Sequence, residues 1–210
     1  MATNNKAVIS ATIAGIIASV VYIEGGFVND PDDPGGATKY GITERVAREY
    51  GYTGAMEDLT KEEADQIYST LYVLEPGFDK MVEINPAVAH KLIDAGVNVG
   101  TARVSLWFQK ALNSYSRGGS DYPQIPEDGI LGERTITSYK LLEQVRGKEK
   151  ACQLMLKALD GQQLSYYFSL KLYSKFMIGW VDKRIQNIPL NQCSEYNLVV
   201  PLENNLDESL

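Results

Sequence analysis

EGGFVNDPDDPGGATKYGIT, residues 24–43, is the stretch on which the fold turns. Gly, Pro, Asp and Asn are packed there too densely for a helix, so the segment reads as a loop or a small hairpin. It also carries two kinds of carboxyl group. Glu24 follows an uncharged apolar run, where desolvation disfavours its ionised form. Asp33 comes nine residues later, in a polar, solvated setting that keeps it ionised. Opposed environments of this kind are what an acid and a base in one reaction require. Gly25, Gly26, Gly35 and Gly36 permit positive φ and the close approach of a ligand to the backbone, although they suit an ordinary tight turn equally well.

Immediately before it, residues 7–23 (AVISATIAGIIASVVYI) hold no charge and follow the single basic residue Lys6. As a helix this run would be about 25 Å long, slightly short of a hydrocarbon core of about 30 Å. Ser10, Thr12, Gly15, Ser19 and several alanines make it weakly apolar. Three readings stand: a segment that lodges in a membrane and can leave it, a cleaved signal peptide, and the buried first helix of a soluble domain. The uninterrupted apolar run favours the first.

Beyond residue 43 helical signals dominate. Thr60 with Glu63 forms a capping box, Asn85 with Pro86 an N-cap and first-turn pair, and Thr101 is expected to cap a further helix. Val104, Trp107, Phe108, Ala111 and Leu112 recur at helical spacing, which makes Trp107 a core residue rather than a ligand platform. Ile136, Tyr139, Leu142 and Val145 mark a helix ending near Gly147, and residues 150–180 carry a longer apolar-periodic run with many aromatics. The polar stretch 113–126 is the best candidate for a boundary between lobes. The fold class is therefore mainly α: a helical bundle with a small β-hairpin or loop that carries the active site. The expected organisation is a first helix or membrane segment (1–24), a catalytic lobe (20–113), a second helical lobe (114–190) and an acidic tail (191–210) that includes Glu195, Glu203, Asp207 and Glu208.

Several chemistries are disfavoured at this level. The formal charge of −7 argues against a nucleic-acid partner, and equally against field-driven attraction to an anionic wall polymer, which would have to be bound by specific sugar contacts. His90 is the sole histidine, so zinc-dependent amidase or peptidase chemistry lacks its imidazole ligands. Cys152 and Cys193 have no catalytic signature; they are buried thiols or, in an oxidising compartment, one disulfide. An EF-hand reading of Asp30, Asp32 and Asp33 fails because Pro34 and Gly41 occupy ligand positions, and no Gly-Lys-Ser/Thr follows the glycines to make a phosphate loop. No metal or cofactor is expected. Cleaving a glycosidic bond, by contrast, needs one carboxylic acid to protonate the leaving oxygen and usually a second carboxylate to stabilise positive charge or activate water. Glu24 and Asp33 fill those roles, with Thr38 placed to hold the attacking water; a solvated turn is the bland alternative for the acidic cluster.

These residues resemble the signature of glycoside hydrolase family 108, phage and bacterial muramidases with a lysozyme-like fold, in which the opening Glu of an E-G-G motif is the catalytic acid. The resemblance assigns that role to Glu24. The Glu, Asp, Thr order also resembles the catalytic triad of phage-type lysozymes; the Glu-to-Asp interval matches and the Asp-to-Thr interval is one residue shorter, which leaves Asp32 as a rival to Asp33. DAGVNVGTARVSLWFQKALN (94–113) is similar to the family's helical second motif and suggests Asn98 as a sugar ligand, with Tyr40 and Thr101 as further substrate-binding candidates. EDGILGERTITSY (127–139) and FMIGWVDKR (176–184) resemble a C-terminal peptidoglycan-binding module, with Gly129 and Gly132 at its turn, Thr135 opening a helix and Asp128 either a turn residue or a ligand. The weak apolar segment resembles that of signal-arrest-release endolysins.

The expectation is thus an endolysin that hydrolyses the β-1,4 bond between N-acetylmuramic acid and N-acetylglucosamine. It would be held first in the host inner membrane through residues 7–23 and then act in the periplasm as a monomer, with peptidoglycan strands as its partner. A lytic transglycosylase working with Glu24 alone, and a non-catalytic membrane-anchored wall-binding protein, are the alternatives.

Overall fold

The structure, a computed structural model, describes residues 2–22, 27–29, 36–170 and 176–195. It is mainly helical. Helix α1 (Ala2–Tyr22) is followed by a small antiparallel hairpin, β1 (Thr38–Lys39) and β2 (Ile42–Thr43). Then come α2 (Glu44–Tyr50), α3 (Lys61–Ser69) running into a π-helical turn (Thr70–Leu74), α4 (Asp79–Ile84), α5 (Pro86–Val99) and α6 (Thr101–Tyr115). The second half holds α7 (Glu133–Arg146), α8 (Lys148–Ser169), α9 (Met177–Arg184) and α10 (Gln192–Glu195).

Local chemistry sets most helix ends. Thr60 and Glu63 exchange hydrogen bonds in a full capping box at the start of α3. Asn85 accepts from the Val88 N–H at 3.2 Å with Pro86 in the first turn of α5. Gly147, at φ 81°, separates α7 from α8. Thr101 departs from expectation: it is the first residue of α6, not its cap. Gly100, at φ 94°, takes the cap position, and no side chain caps that end. A residue with φ of that sign between two long helices is best supplied by glycine, so the break fell one position earlier than the threonine suggested.

Helix α5 is the hub. Ala87, Val88, Ala89, Leu92, Ile93 and Ala95 are all buried, because α1, α4, α6 and α8 each pack against it. A helix covered on several sides belongs in a core, and α5 carries its charged groups, Lys91 and Asp94, on the face turned to α8 and α9. Phe108 and Leu112 of α6 and Tyr139 and Leu142 of α7 extend the same core into the second half. Trp107 is buried as expected, whereas Val145, expected on the apolar face of α7, is exposed near the end of that helix.

Helix α1 packs on α3, α4 and α5, burying Ile16, Ile17 and Val20, and Ser19 Oγ lies 3.0 Å from His90 Nε2. In this folded state the first segment is therefore a helix packed on the core along one stripe, with Val8, Ala14 and Ala18 exposed on the other side. Among the described residues, no helix is long and apolar enough to cross a membrane. Cys152 and Cys193 form a disulfide, with 5.7 Å between Cα atoms, that ties α10 to α8 and keeps the chain on the core as far as Cys193.

Candidate functional site

The small β element is built around Thr38. Its N–H donates to the Val28 carbonyl at 2.7 Å, and its carbonyl accepts from the Val28 N–H at 2.8 Å. On its other edge Thr38 pairs with Thr43. The turn between β1 and β2 has positive φ at both central residues, 52° at Tyr40 and 75° at Gly41, as a tight hairpin matching the right-handed strand twist requires. Glycine meets that demand at position 41; at position 40 a tyrosine is held there by its surroundings. The Tyr68 hydroxyl donates to the Tyr40 carbonyl at 3.0 Å, and the Lys39 ammonium lies 5.5 Å from the Tyr40 ring centroid while also donating to the Glu57 carbonyl. Buried Ile42 pins the hairpin to the core.

Of the residues expected to act, Glu24, Asp33 and the rival Asp32 lie outside the described residues. Glu24 is four residues from Val28 and Asp33 five from Thr38 along the chain, so the Val28–Thr38 bridge fixes the two ends of the segment that contains Asp33. Thr38 and Tyr40 sit together on the hairpin. Asn98 lies at the end of α5 and Thr101 at the start of α6, and among the described residues no hydrogen bond joins either to Thr38 or Tyr40. Thr101 is half-buried, and a side chain at Gly96 would come within 3.3 Å of its methyl group.

Asn98 belongs to a polar seam that the sequence did not reveal. Lys91, Asp94 and Asn98 share one face of α5; Asp160, Gln163 and Tyr167 share the facing stripe of α8, each at helical spacing. The Lys91 ammonium makes an ion pair with Asp160 at 2.6 Å and donates hydrogen bonds to the Arg184 carbonyl at 2.6 Å and to Asn187 at 3.2 Å. Asp94 pairs with the guanidinium of Arg184 from α9. The Tyr167 hydroxyl donates to Asn98 Oδ1 at 2.6 Å, and Gln163 Nε2 donates to Tyr167 at 2.8 Å and to Asn98 Oδ1 at 3.3 Å. Burial pushes the Tyr167 phenol well above its ordinary range, so it stays a donor. Trp180 of α9 packs on Tyr167 with 5.4 Å between ring centroids. Charged residues spaced at i and i+3 within an apolar helix were the available signal, since such groups are seldom buried unless paired.

The glycine-rich turn of the second half is organised by a residue the sequence reading passed over. Buried Gln109, on α6, donates to Asp128 at 2.7 Å, to the Ile130 carbonyl at 3.0 Å and to Thr135 at 3.2 Å, and accepts from the Gly129 N–H at 2.8 Å. Asp128 also accepts from the Ile130 N–H, so it is a turn residue, and the Gln109 amide holds its carboxyl below the usual range. Gly129 is at φ 74°, and a Cβ there would meet the Ala102 carbonyl at 2.9 Å, so only glycine lets the turn lie on α6.

An open groove of about 580 Å³ lies between the end of α2 and the start of α3, lined by Tyr50, Tyr52, Asp58, Glu63 and Gln66 among others. It contains none of the expected site residues. Its polar groups are committed locally, Glu63 to Thr60 and the Tyr52 hydroxyl to the Ala55 carbonyl. Among the described residues no three His, Cys, Asp or Glu side chains converge as a metal set.

Comparison with known proteins places this architecture. Residues 17–100, from the last turns of α1 through α5, match the family described as glycosyl hydrolase 108. Residues 103–185 match a predicted peptidoglycan domain. Brucella abortus SagA has a similar structure, with a TM-score of 0.66 and 25% sequence identity over 89% of this chain and 96% of that one. No curated protein matches. The seam and the Gln109 clasp thus join the two matched regions, α5 lying in the first and α8, α9 and the Gly129 turn in the second. The first half of the chain matches glycosyl hydrolase 108 and the second half a peptidoglycan domain packed against it, the pairing of a lysozyme-like glycoside hydrolase of peptidoglycan.

Proposed function

We propose that the protein is an N-acetylmuramidase: it hydrolyses the β-1,4 bond between N-acetylmuramic acid and N-acetylglucosamine, with Glu24 as general acid, Asp33 as second carboxylate and Thr38 holding the attacking water. The observation that carries this reading is the family match over residues 17–100, which includes the E-G-G motif opened by Glu24 and the hairpin strand bearing Thr38. Protonation of the leaving oxygen by one carboxyl group, with charge stabilisation or water activation by another, is the chemistry that two carboxylates in unlike settings supply. Asn98, Tyr40 and Thr101 are assigned to sugar binding.

Replacing Glu24 by Gln removes the transferable proton with little change of shape, and should lower the initial rate of sacculus digestion by about 10²–10⁴-fold. Circular dichroism would verify the fold, and mass spectrometry of the products would show reducing ends for hydrolysis. Anhydro ends would make the protein a lytic transglycosylase, and a fully active Glu24→Gln variant would remove Glu24 from the acid role. Parallel Asp33→Asn and Asp32→Asn variants decide which carboxylate is second.

The disulfide between Cys152 and Cys193 supports action in an oxidising compartment outside the cytosol, in keeping with a wall substrate. Lysis of a bacterial host from the periplasm, by a phage enzyme monomeric once released, is the physiological form of this reading. The weakly apolar composition of residues 7–23 adds a second element: a membrane-lodged state that precedes the packed one, in which α1 would be withheld from α3, α4 and α5 and the catalytic half left incomplete. A carbonate-resistant membrane pool retaining Met1 is the expected result of cell fractionation; protein that is soluble at every time point removes this element while leaving the enzyme assignment intact.

A further inference from the structure

The direction in which the Asn98 side-chain amide points is decided from the other half of the molecule. Gln163 and Tyr167 are sealed, at 0% and 1% exposure, while Asn98 is half-buried at the edge of the same cluster. Proton accounting orients the set. Gln163 Nε2 donates to the Tyr167 oxygen, so the phenol's own proton must go elsewhere, and the atom 2.6 Å away is Asn98 Oδ1. Gln163 Nε2 reaches the same oxygen at 3.3 Å. Turning the Gln163 amide over would put its NH₂ where Oε1 now lies, a buried position with no hydrogen-bond partner. An orphaned buried N–H pair is costlier than an orphaned carbonyl oxygen, so the arrangement shown is the favoured one. With Oδ1 turned inward and doubly engaged, the outer atom of Asn98 is Nδ2, which has no hydrogen-bond partner among the described residues.

We propose that Tyr167 and Gln163 are positioning residues for the glycan site: they hold Asn98 so that it offers only N–H donors outward, selecting the carbonyl oxygen of a sugar's acetamido group. This rests on the assignment of Asn98 to sugar binding. An asparagine free to turn could present either an acceptor or a donor and would accept an amino sugar or hydroxyl as readily; an asparagine fixed with its oxygen inward prefers an acceptor. The peptidoglycan half would then do more than hold the wall, because its α8 completes a sugar contact of the catalytic half.

Two substitutions isolate the effect. Asn98→Asp keeps an inward oxygen for Tyr167 and Gln163 but replaces the outward donor by an acceptor. Tyr167→Phe keeps Asn98 and the packing against Trp180 but removes the shorter of the two hydrogen bonds that hold Oδ1 inward, leaving only the long one from Gln163. Initial rates would be measured on sacculi and on sacculi stripped of N-acetyl groups, with thermal unfolding of each variant alongside. Tyr167→Phe is expected to raise the apparent KM on acetylated glycan by about 3- to 10-fold, the worth of one hydrogen bond, with kcat little changed. Asn98→Asp should raise it at least as much, and both variants should lose the wild-type preference for acetylated over stripped glycan. If Asn98→Asp raises KM while Tyr167→Phe changes neither KM nor preference, or changes only the unfolding temperature, the positioning role is wrong and the sugar contact stands. If Asn98→Asp leaves KM unchanged, the assignment of Asn98 fails and the proposal with it.

Discussion

Charges at the seam between α5, α8 and α9 and charges on α2 obey different rules, although both are arranged as oppositely charged partners. At the seam, Asp94 and Lys91 are 1% exposed and Arg184 3%, and each is matched to a partner from another element distant in sequence. On α2, Arg45–Glu49 and Arg48–Glu44 are i,i+4 pairs on one solvated surface. A buried ion has lost its hydration, so its partner is indispensable even where the pair as a whole contributes little net stability. An exposed ion keeps most of its water, and its partner is nearly optional. The seam therefore fixes how the catalytic and peptidoglycan halves meet, while the α2 pairs only decorate a helix.

The strongest way to break this contrast is to delete one seam partner. Arg184→Ala strands the Asp94 carboxylate in the core and should cost about 3–5 kcal/mol in chemical denaturation. Replacing Asp94 and Arg184 together by apolar residues of similar volume should recover much of that loss, because the stranded charge goes with its partner. A single variant as stable as the wild type would mean that water reaches Asp94 and that the seam is not dry.

How much of this could be read from the chain follows the same division. Helix ends governed by neighbouring residues were legible: the Thr60–Glu63 box, the Asn85–Pro86 start and the Gly147 break all stand. A loop or small hairpin in the Gly- and Asp-rich stretch was legible too, but not its placement at Thr38–Thr43, since the turn puts a tyrosine at a positive φ. Asp128 was narrowed to a local or a ligand role but not settled, since Gln109, which engages it, lies nineteen residues away on α6. The seam was illegible for the same reason: Lys91 and Asp94 stand out on an apolar helix, yet nothing adjacent in sequence names Asp160 or Arg184 as their partners. The pairing of Cys152 with Cys193, across 41 residues, needed the path of the chain as well. At the site, Thr38 is placed on its strand, while the roles of Glu24 and Asp33 rest on their motif alone.

Glu143 lies between the two extremes, buried on α7 but with one carboxylate oxygen lacking a hydrogen-bond partner. Burial pushes its carboxyl above the ordinary carboxylate range, against the lowering influence of Lys148, Asn85 and Lys140. The folded state thus holds this proton to higher pH than the unfolded chain does, so stability is lost as pH rises from the unfolded value near 4.5 through the raised one. Glu143→Gln removes the charge that must be buried. Unfolding curves should show the variant more stable at pH 7 by about 1 kcal/mol, the cost of an unsatisfied buried group, with the advantage shrinking toward pH 4. An advantage independent of pH would assign the effect to packing rather than to ionisation.

The smallest effect is expected at Arg45–Glu49, and its smallness is informative. The two side chains are 67% and 58% exposed and lie 3.0 Å apart one turn along α2. Their order, cation first, is the less favourable one against the helix dipole, so the coupling should fall at or below about 0.3–0.5 kcal/mol. A double-mutant cycle of Arg45→Ala and Glu49→Ala measures it without the separate helix preferences of the two residues. Repeating the cycle in 0.5 M salt should abolish the coupling here, because at about 4 Å the screening length is no longer much greater than the separation. The corresponding seam coupling should hardly change, since salt cannot enter between Asp94 and Arg184. Equal salt sensitivity at both places would mean that the buried and exposed pairs share one dielectric environment, and the division of labour drawn between them would fall.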